Sequence, residues 1–222
     1  MKHLPLLLLV FLANMLSAQD TRQIGPFNEL VVTGKLDVTL EQGDSEQVII
    51  DTDRYEDDLN ISLRGGRLKL SLVDGWVKGD RRLRVTVQYR DLTEIRVTAG
   101  AELESRTVIV ADQLELKAGS GAEVDLELEV HTLEAGAVEG AVLELSGSVK
   151  NQYASAATGG VYNATRLAAD RTEVKANTGG EARVVAMEHL DAVANTGGHI
   201  RYSGNPSQKY TRTNLAGDIT EY

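Results

Sequence analysis

Apolar residues alternate with polar ones along most of the chain, which is the pattern typical of half-buried β-strands rather than of helices. Between Leu30 and Leu40, for example, every second residue is apolar except at the turn around Gly34. Glycine-rich and Asp-Gly turns separate the successive alternating segments. The sequence therefore predicts an all-β chain, in which residues 24–92 form longer strand and loop coils of irregular length.

From Thr93 onward the pattern repeats itself. Six glycines can be superposed at spacings of 21, 19, 19, 20 and 18 residues, with apolar or small residues in the same columns on both sides. These corner glycines are Gly100, Gly121, Gly140, Gly159, Gly179 and Gly197. The column three residues before them reads Val97, Ala118, Ala137, Ala156, Ala176 and Ala194, which predicts a narrow interior.

A repeat of about 20 residues cannot bury its apolar side alone, so the repeats should stack into a parallel β-helix with rungs about 4.8 Å apart. The regular rungs are predicted over 93–204, followed by a C-terminal cap over 205–222. A β-sandwich is the alternative fold, but its independent hairpins have no reason to keep six near-equal spacings.

The first residues indicate an export signal. Lys2 is followed by an apolar run from Leu4 to Leu16, and small residues follow it at Ser17 and Ala18. An uncleaved membrane anchor is the alternative, but the run is interrupted and shorter than the roughly 20 residues that span a bilayer. Residues 1–18 are therefore predicted to be a cleaved signal peptide, which leaves 19–222 as a single domain with no membrane span.

The charge balance excludes some partners. The chain has 33 acidic and 23 basic residues, a net charge of −10, and no cysteine. Because no disulfide can form, packing and hydrogen bonds alone must stabilise the fold. An acidic surface repels nucleic acid, and its ordinary role is solubility. Nothing in the sequence indicates an oligomeric state.

Several fragments, taken in order, resemble the bacterial head GIN domain family, whose members are described as auto-transporter adhesin heads. They are Phe27–Asp44, the corner Ala118–Ala122 with its relatives at 176–180 and 194–198, and Tyr202–Pro206. The resemblance covers about 27–219. It implies a right-handed parallel β-helix (β-solenoid), an adhesive role, no catalytic residues, and a location in the periplasm, on the outer-membrane surface or outside the cell. The asparagine of the family's Gly-Ile-Asn motif is absent here, where the corners read Thr-Gly-Gly.

A search for catalytic and metal-binding motifs is negative. No nucleotide loop or serine elbow occurs, since Gly119-Ser120-Gly121 lacks the required flanks. The three histidines of the mature chain, His131, His189 and His199, are isolated in sequence and predict no zinc site. Residues 51–58 resemble the start of a calcium loop, but Glu56 and Ser62 replace its glycine and its final glutamate, so calcium binding stays open. No cofactor is predicted.

An enzymatic alternative starts from outward carboxylates. β-Helical polysaccharide lyases and hydrolases use acidic residues on an outer face, and Glu123, Asp125, Glu127 and Glu129 line one such face here. Alternation alone already places carboxylates there, and only Lys117 lies nearby in sequence as a base. A purely structural envelope protein is a further alternative.

The candidate binding residues stand at the corners. Ser120, Thr158, Thr178 and Thr196 precede the corner glycines, with Asn177 and Asn195 beside them. Stacking would align these groups into a polar ladder. Such residues are common in turns because they bond local backbone groups, but a regular row could also contact a polysaccharide or another cell-surface component. Trp76 could stack on a sugar or cover a core edge. The predicted function is a non-catalytic binding or adhesion module.

Overall fold

The computed structural model describes residues 19–51, 59–72 and 82–222. These residues contain no helix and form one 18-stranded β-solenoid of about seven turns, with 73% of the described residues in strands. The predicted fold class is therefore confirmed. The predicted signal peptide (1–18), Trp76 and all but Asp51 of the acidic segment 51–58 lie outside the described residues.

The strands fall into an irregular and a regular part. The irregular part consists of β1 (Gln19–Gln23), β2 (Glu29–Thr33), β3 (Leu36–Gln42), β4 (Gln47–Asp51), β5 (Leu59–Arg64), β6 (Arg67–Leu72) and β7 (Leu83–Tyr89). The regular part consists of β8 (Glu94–Thr98), β9 (Glu102–Ser105), β10 (Ile109–Ala118), β11 (Glu123–Val138), β12 (Val142–Ala157), β13 (Val161–Asn177), β14 (Glu181–Val185), β15 (His189–Asn195), β16 (His199–Ser203), β17 (Gln208–Asn214) and β18 (Asp218–Glu221).

In the regular part each turn stacks in parallel on the turn before it. Ala118 pairs with Ala137, Ala137 with Ala156, and Ala156 with Ala176, so the predicted register is confirmed. The column of five alanines and Val97 is at most 1% exposed. The interior is therefore narrow, as predicted, and the β-sandwich alternative is wrong.

Each corner is a tight turn with two successive residues at positive φ. At one of them, Thr178 has φ 48° and Gly179 has φ 70°. The N–H of Gly180 closes the turn on the carbonyl of Asn177 at 2.9 Å, the arrangement of a type I′ turn. The N–H of Gly179 also donates to the carbonyl of Thr196 on the next turn at 3.3 Å. Backbone bonds thus hold the corners above one another.

A seventh corner, at Asn214–Gly217, was not found from the sequence because Ala216, with φ 62°, stands where the other six have glycine. Residues 205–222, predicted to be a cap, form a further turn in which β17 pairs with β15 and β18 with β16. Its inward positions hold polar residues such as Lys209 and Thr211, where the preceding turn has Leu190 and Ala192.

The irregular part does not stack in chain order. Strands β2 and β3 lie between β6–β7 on one side and β8–β9 on the other, so Val32 pairs with both Leu70 and Val97. Strand β4 pairs antiparallel with β7 and with β1, and β5 pairs antiparallel with β6. The alternating pattern predicted these strands but not their order.

One polar group of side chains crosses the interior of the regular part. The Gln152 amide donates to the Tyr162 hydroxyl at 2.7 Å and accepts from the Thr172 hydroxyl at 3.0 Å. All three side chains are at most 1% exposed. Burial raises the pKa of Tyr162 far above its ordinary value of 10, which keeps this hydroxyl neutral. Satisfied groups of this kind fix one packing arrangement rather than several.

Candidate functional site

Three of the predicted site residues form a row of hydroxyls. Thr158, Thr178 and Thr196 occupy the same position on three successive corners, and all three are exposed. Their side chains make no hydrogen bond to any other residue that the structure describes. We call these residues the threonine row. Because neighbouring turns are spaced like strands, its hydroxyls repeat about every 4.8 Å along the solenoid axis.

The backbone of the threonine row is unfavourable for threonine. The φ angles are 51°, 48° and 49°, a region that β-branched residues rarely adopt and that type I′ turns fill with Asn, Asp or Gly. Such a conformation costs about 1 kcal/mol or more at each residue. Turn chemistry, the alternative explanation of these residues, therefore favours other residue types, and no local hydrogen bond compensates within the described chain.

Ser120 does not belong to this row. Glu139 occupies the corner between Ser120 and Thr158, and its carboxylate accepts a hydrogen bond from the Ser120 hydroxyl at 2.7 Å. The structure thus brings together the three threonines of the predicted ladder and separates the serine from them.

The asparagines beside the row contact one another. The side-chain amide of Asn195 donates to the side-chain oxygen of Asn177, and that of Asn214 donates to Asn195, both at 2.9 Å. These bonds connect three turns, as expected for a stabilising ladder. Asn214 was not identified from the sequence because its corner lacks the aligning glycine, although the spacing Asn-x-x-Gly is shared by all three corners.

Carboxylates gather on the face that follows the corners in the first regular turns. A depression of about 260 Å³ there is lined by Glu123 and Asp125 together with Glu102, Glu104, Asp37 and Glu144. Lys117 lies before the corner at Gly121 and pairs with Glu115 on its own strand. It is therefore on the other face and not available as a base to these carboxylates.

The histidines are not brought together. His189 begins β15 and His199 begins β16, on opposite sides of the corner at Thr196. Within the described residues no three His, Asp or Glu side chains are close enough to hold a metal ion. Asp51, the described residue of the acidic segment 51–58, lies with its Oδ2 atom 3.4 Å from Nε of Arg84.

None of the described residues forms a helix long and apolar enough to cross a membrane.

Residues 26–206 match the protein family described as "putative auto-transporter adhesin, head GIN domain". No curated protein matches the chain significantly. Among solved structures, a putative adhesin from Bacteroides fragilis is 18% identical, with a TM-score of 0.83 over 92% of this chain and 96% of that one. A putative adhesin from Parabacteroides merdae is 18% identical, with a TM-score of 0.69 over 92% and 95%.

A third solved structure has a different description. It is a putative lipid binding protein from Parabacteroides distasonis, 19% identical, with a TM-score of 0.60 over 92% of this chain and 96% of that one. At these identities the three structures establish the fold alone.

Proposed function

The chain belongs to the head GIN domain family of adhesin heads, and we propose that it is an exported, non-catalytic adhesion module of the cell envelope that binds an extended surface polysaccharide. The family and its solved relatives support an adhesion-like role. The polysaccharide and the binding residues are part of the proposal.

The threonine row is the observation that carries the proposal. Three exposed hydroxyls repeat along the axis without an internal partner, in a backbone conformation that favours other residues. The turn sets these φ angles at every corner but does not favour threonine, so the turn alone does not explain three successive threonines. A row with a regular repeat suits a ligand with a regular repeat, because many weak contacts then act together.

The shape of the surface favours a long ligand over a small enclosed one. The depression on the strands that lead into the row measures about 220 Å³ and the one on the acidic face about 260 Å³, below the roughly 300–1,000 Å³ of small-molecule pockets. An extended polymer that lies across several turns needs no deep pocket.

Lipid binding is the second candidate, because one structural relative is described as a putative lipid binding protein. An acyl chain held inside the solenoid would need interior space. In the regular turns that space is filled by the buried alanine column and the strands around it. Vesicles are therefore included in the test as the competing ligand.

The test uses a variant in which Thr158, Thr178 and Thr196 are all replaced by glycine. Glycine adopts positive φ without strain, so the melting temperature should stay near the parent value or rise. Retention on bacterial cells and on a panel of bead-coupled polysaccharides should fall at least tenfold. Glu139→Gly is the matched control, since Glu139 holds the same corner position at φ 54° without a hydroxyl.

Three results would overturn the proposal. Unchanged retention of the triple variant would show that the row is not a binding surface. Retention on phospholipid vesicles, without retention on any polysaccharide, would favour the lipid candidate. Release of reducing ends from the bound polymer would show the enzymatic alternative.

A further inference from the structure

We infer that the polysaccharide is anionic and that it is held by the face beside the threonine row. This face, which we call the tyrosine face, consists of outward side chains on the strands that lead into the last four corners. Its columns are Asn151, Arg171, His189 and Gln208; Tyr153, Glu173, Asp191 and Tyr210; and Ser155, Lys175, Val193 and Arg212. The inference rests on the proposed function and specifies its ligand.

Two exposed tyrosines lie in one column of this face. Tyr153 is 44% exposed and Tyr210 61% exposed. The register places them three turns apart, about 14 Å at the usual strand spacing. The ring of Tyr210 lies 5.8 Å from the ring of His189. A tyrosine ring gives a large rigid contact at a small entropic cost, and the apolar face of a sugar can stack on it.

Three positively charged side chains of this face have no ion-pair partner in the part of the chain that the structure describes. Arg171, Lys175 and Arg212 form no ion pair with any residue that the structure describes. On the same side of the earlier turns, by contrast, Arg67 pairs with Glu29 at 2.5 Å and Arg96 with Glu94 at 2.7 Å. An unpaired guanidinium is well suited to a carboxylate because it offers two parallel donors.

The net charge of the last turns also differs from that of the chain as a whole. Residues 150–222 contain eight basic and seven acidic side chains, whereas the chain as a whole has a net charge of −10. The tyrosine face also holds Glu173 and Asp191, which can accept hydrogen bonds from sugar hydroxyls. Cations beside such acceptors fit a polymer with both carboxylates and hydroxyls better than a purely neutral glycan.

A shallow depression lies between a tyrosine ring and charged side chains of this face. It measures about 220 Å³, and its lining consists of Asn151, Gln152, Tyr153, Arg171, Glu173 and His189. A sugar ring over Tyr153 would therefore have a cation and an acceptor within reach on the next turn. On each strand the threonine row lies five to seven residues further on, so one long polymer could contact both surfaces.

The test compares polygalacturonate with its fully methyl-esterified form, which keeps the sugar rings but lacks the charge. The parent protein should bind the acid form at least tenfold more tightly, and added salt should reduce the difference. Replacing Arg171, Lys175 and Arg212 together by glutamine should abolish the preference and leave binding of the ester. Tyr153→Ala should weaken binding of both polymers.

Arg183 and Arg201, replaced together by glutamine, provide the matched control, because they lie in the same turns on the opposite side of the corners. This control should keep the preference. Melting curves verify that all variants fold. The inference is overturned if acid and ester bind equally, if the control loses the preference too, or if anionic vesicles bind and polygalacturonate does not. Retention on neutral polysaccharides alone would overturn the inference but keep the proposed function.

Discussion

The irregular part, up to residue 92, and the regular part that follows differ in how far apart in sequence the stacked residues of the interior column are. In the regular part Ala156 stacks on Ala176, which is 20 residues away. In the irregular part Val32 stacks on Leu70 and Val97, which are 38 and 65 residues away. The first arrangement needs only neighbouring repeats, whereas the second must close long loops. We therefore expect the regular turns to form independently of distant contacts.

Side-chain size and charge also change along the chain. The column reads Leu70, Val32 and Val97 at one end and alanine further along, so the interior narrows toward the C-terminal turns. The irregular part, 19–92, carries 14 acidic and 11 basic side chains, the first regular turns, 93–149, carry 12 and 3, and 150–222 are nearly balanced. The irregular part thus has the wider core, the first regular turns have the acidic surface, and the last regular turns present repeating hydroxyls and unpaired cations.

The largest effect is expected from a charge placed in the narrow column. Ala156→Asp should destabilise the protein by about 3–5 kcal/mol because its carboxylate has no partner in the interior. Ala156→Leu should cost about 1–3 kcal/mol through overpacking. Urea unfolding measures both free energies, with Ser155→Asp as the outward control. If Ala156→Leu unfolds like the parent, the interior is wider than the structure shows.

In the wide part of the column, truncation should be the harmful change. Leu70→Ala should reduce the free energy of unfolding by about 2–5 kcal/mol, since it leaves a cavity. Lys69→Ala, on the neighbouring exposed position, should cost less than about 0.5 kcal/mol. Denaturant unfolding of the two variants tests the contrast, and equal stabilities would show that Leu70 is not packed.

The buried polar group of the regular part gives an intermediate effect. Tyr162→Phe removes the partner of the Gln152 amide and should cost about 1–3 kcal/mol. Adding Gln152→Leu, the residue found in this column at Leu133, should recover most of the loss because no buried amide is then unpaired. A double-mutant cycle by thermal unfolding measures this, and additive losses would contradict it.

The smallest effect concerns an acidic side chain of the irregular part. A hydrogen bond from Gln88 and the Arg106 guanidinium hold the pKa of Glu41 below its ordinary 4.5. A lowered folded pKa contributes stability above pH 4.5 that is lost as the pH falls through the folded value. Glu41→Gln should therefore cost less than about 1 kcal/mol at pH 7 and nothing in strong acid. Stability curves from pH 7 to 2.5 check this, and a pH-independent cost would contradict it.

The sequence predicted the regular part well because its signals are local. Alternation and near-equal glycine spacing are enough to place Ala118, Ala137 and Ala156 in one buried column. The order of turns in the irregular part follows from contacts between distant strands, such as those of Val32, and leaves no periodic spacing in the sequence. Propensity and patterning predict strands but not their long-range partners.

The site was predicted in part for similar reasons. The threonine row was found because its residues share a column, but only the structure shows their positive φ and the separation of Ser120 by Glu139. Tyr153 was not singled out, since one outward tyrosine in an alternating strand is ordinary. Its meaning depends on Tyr210 and Arg171, which only the stacked register brings to the same face.

The most direct test of the account is hydroxyl-radical footprinting of the protein with and without polygalacturonate. The oxidation rates of Tyr153 and Tyr210 should fall at least threefold with the polymer, while that of exposed Leu63 in the irregular part should not change. Protection on the acidic face around half-buried Val142, or no protection of the two tyrosines at a saturating polymer concentration, would contradict binding through the tyrosine face.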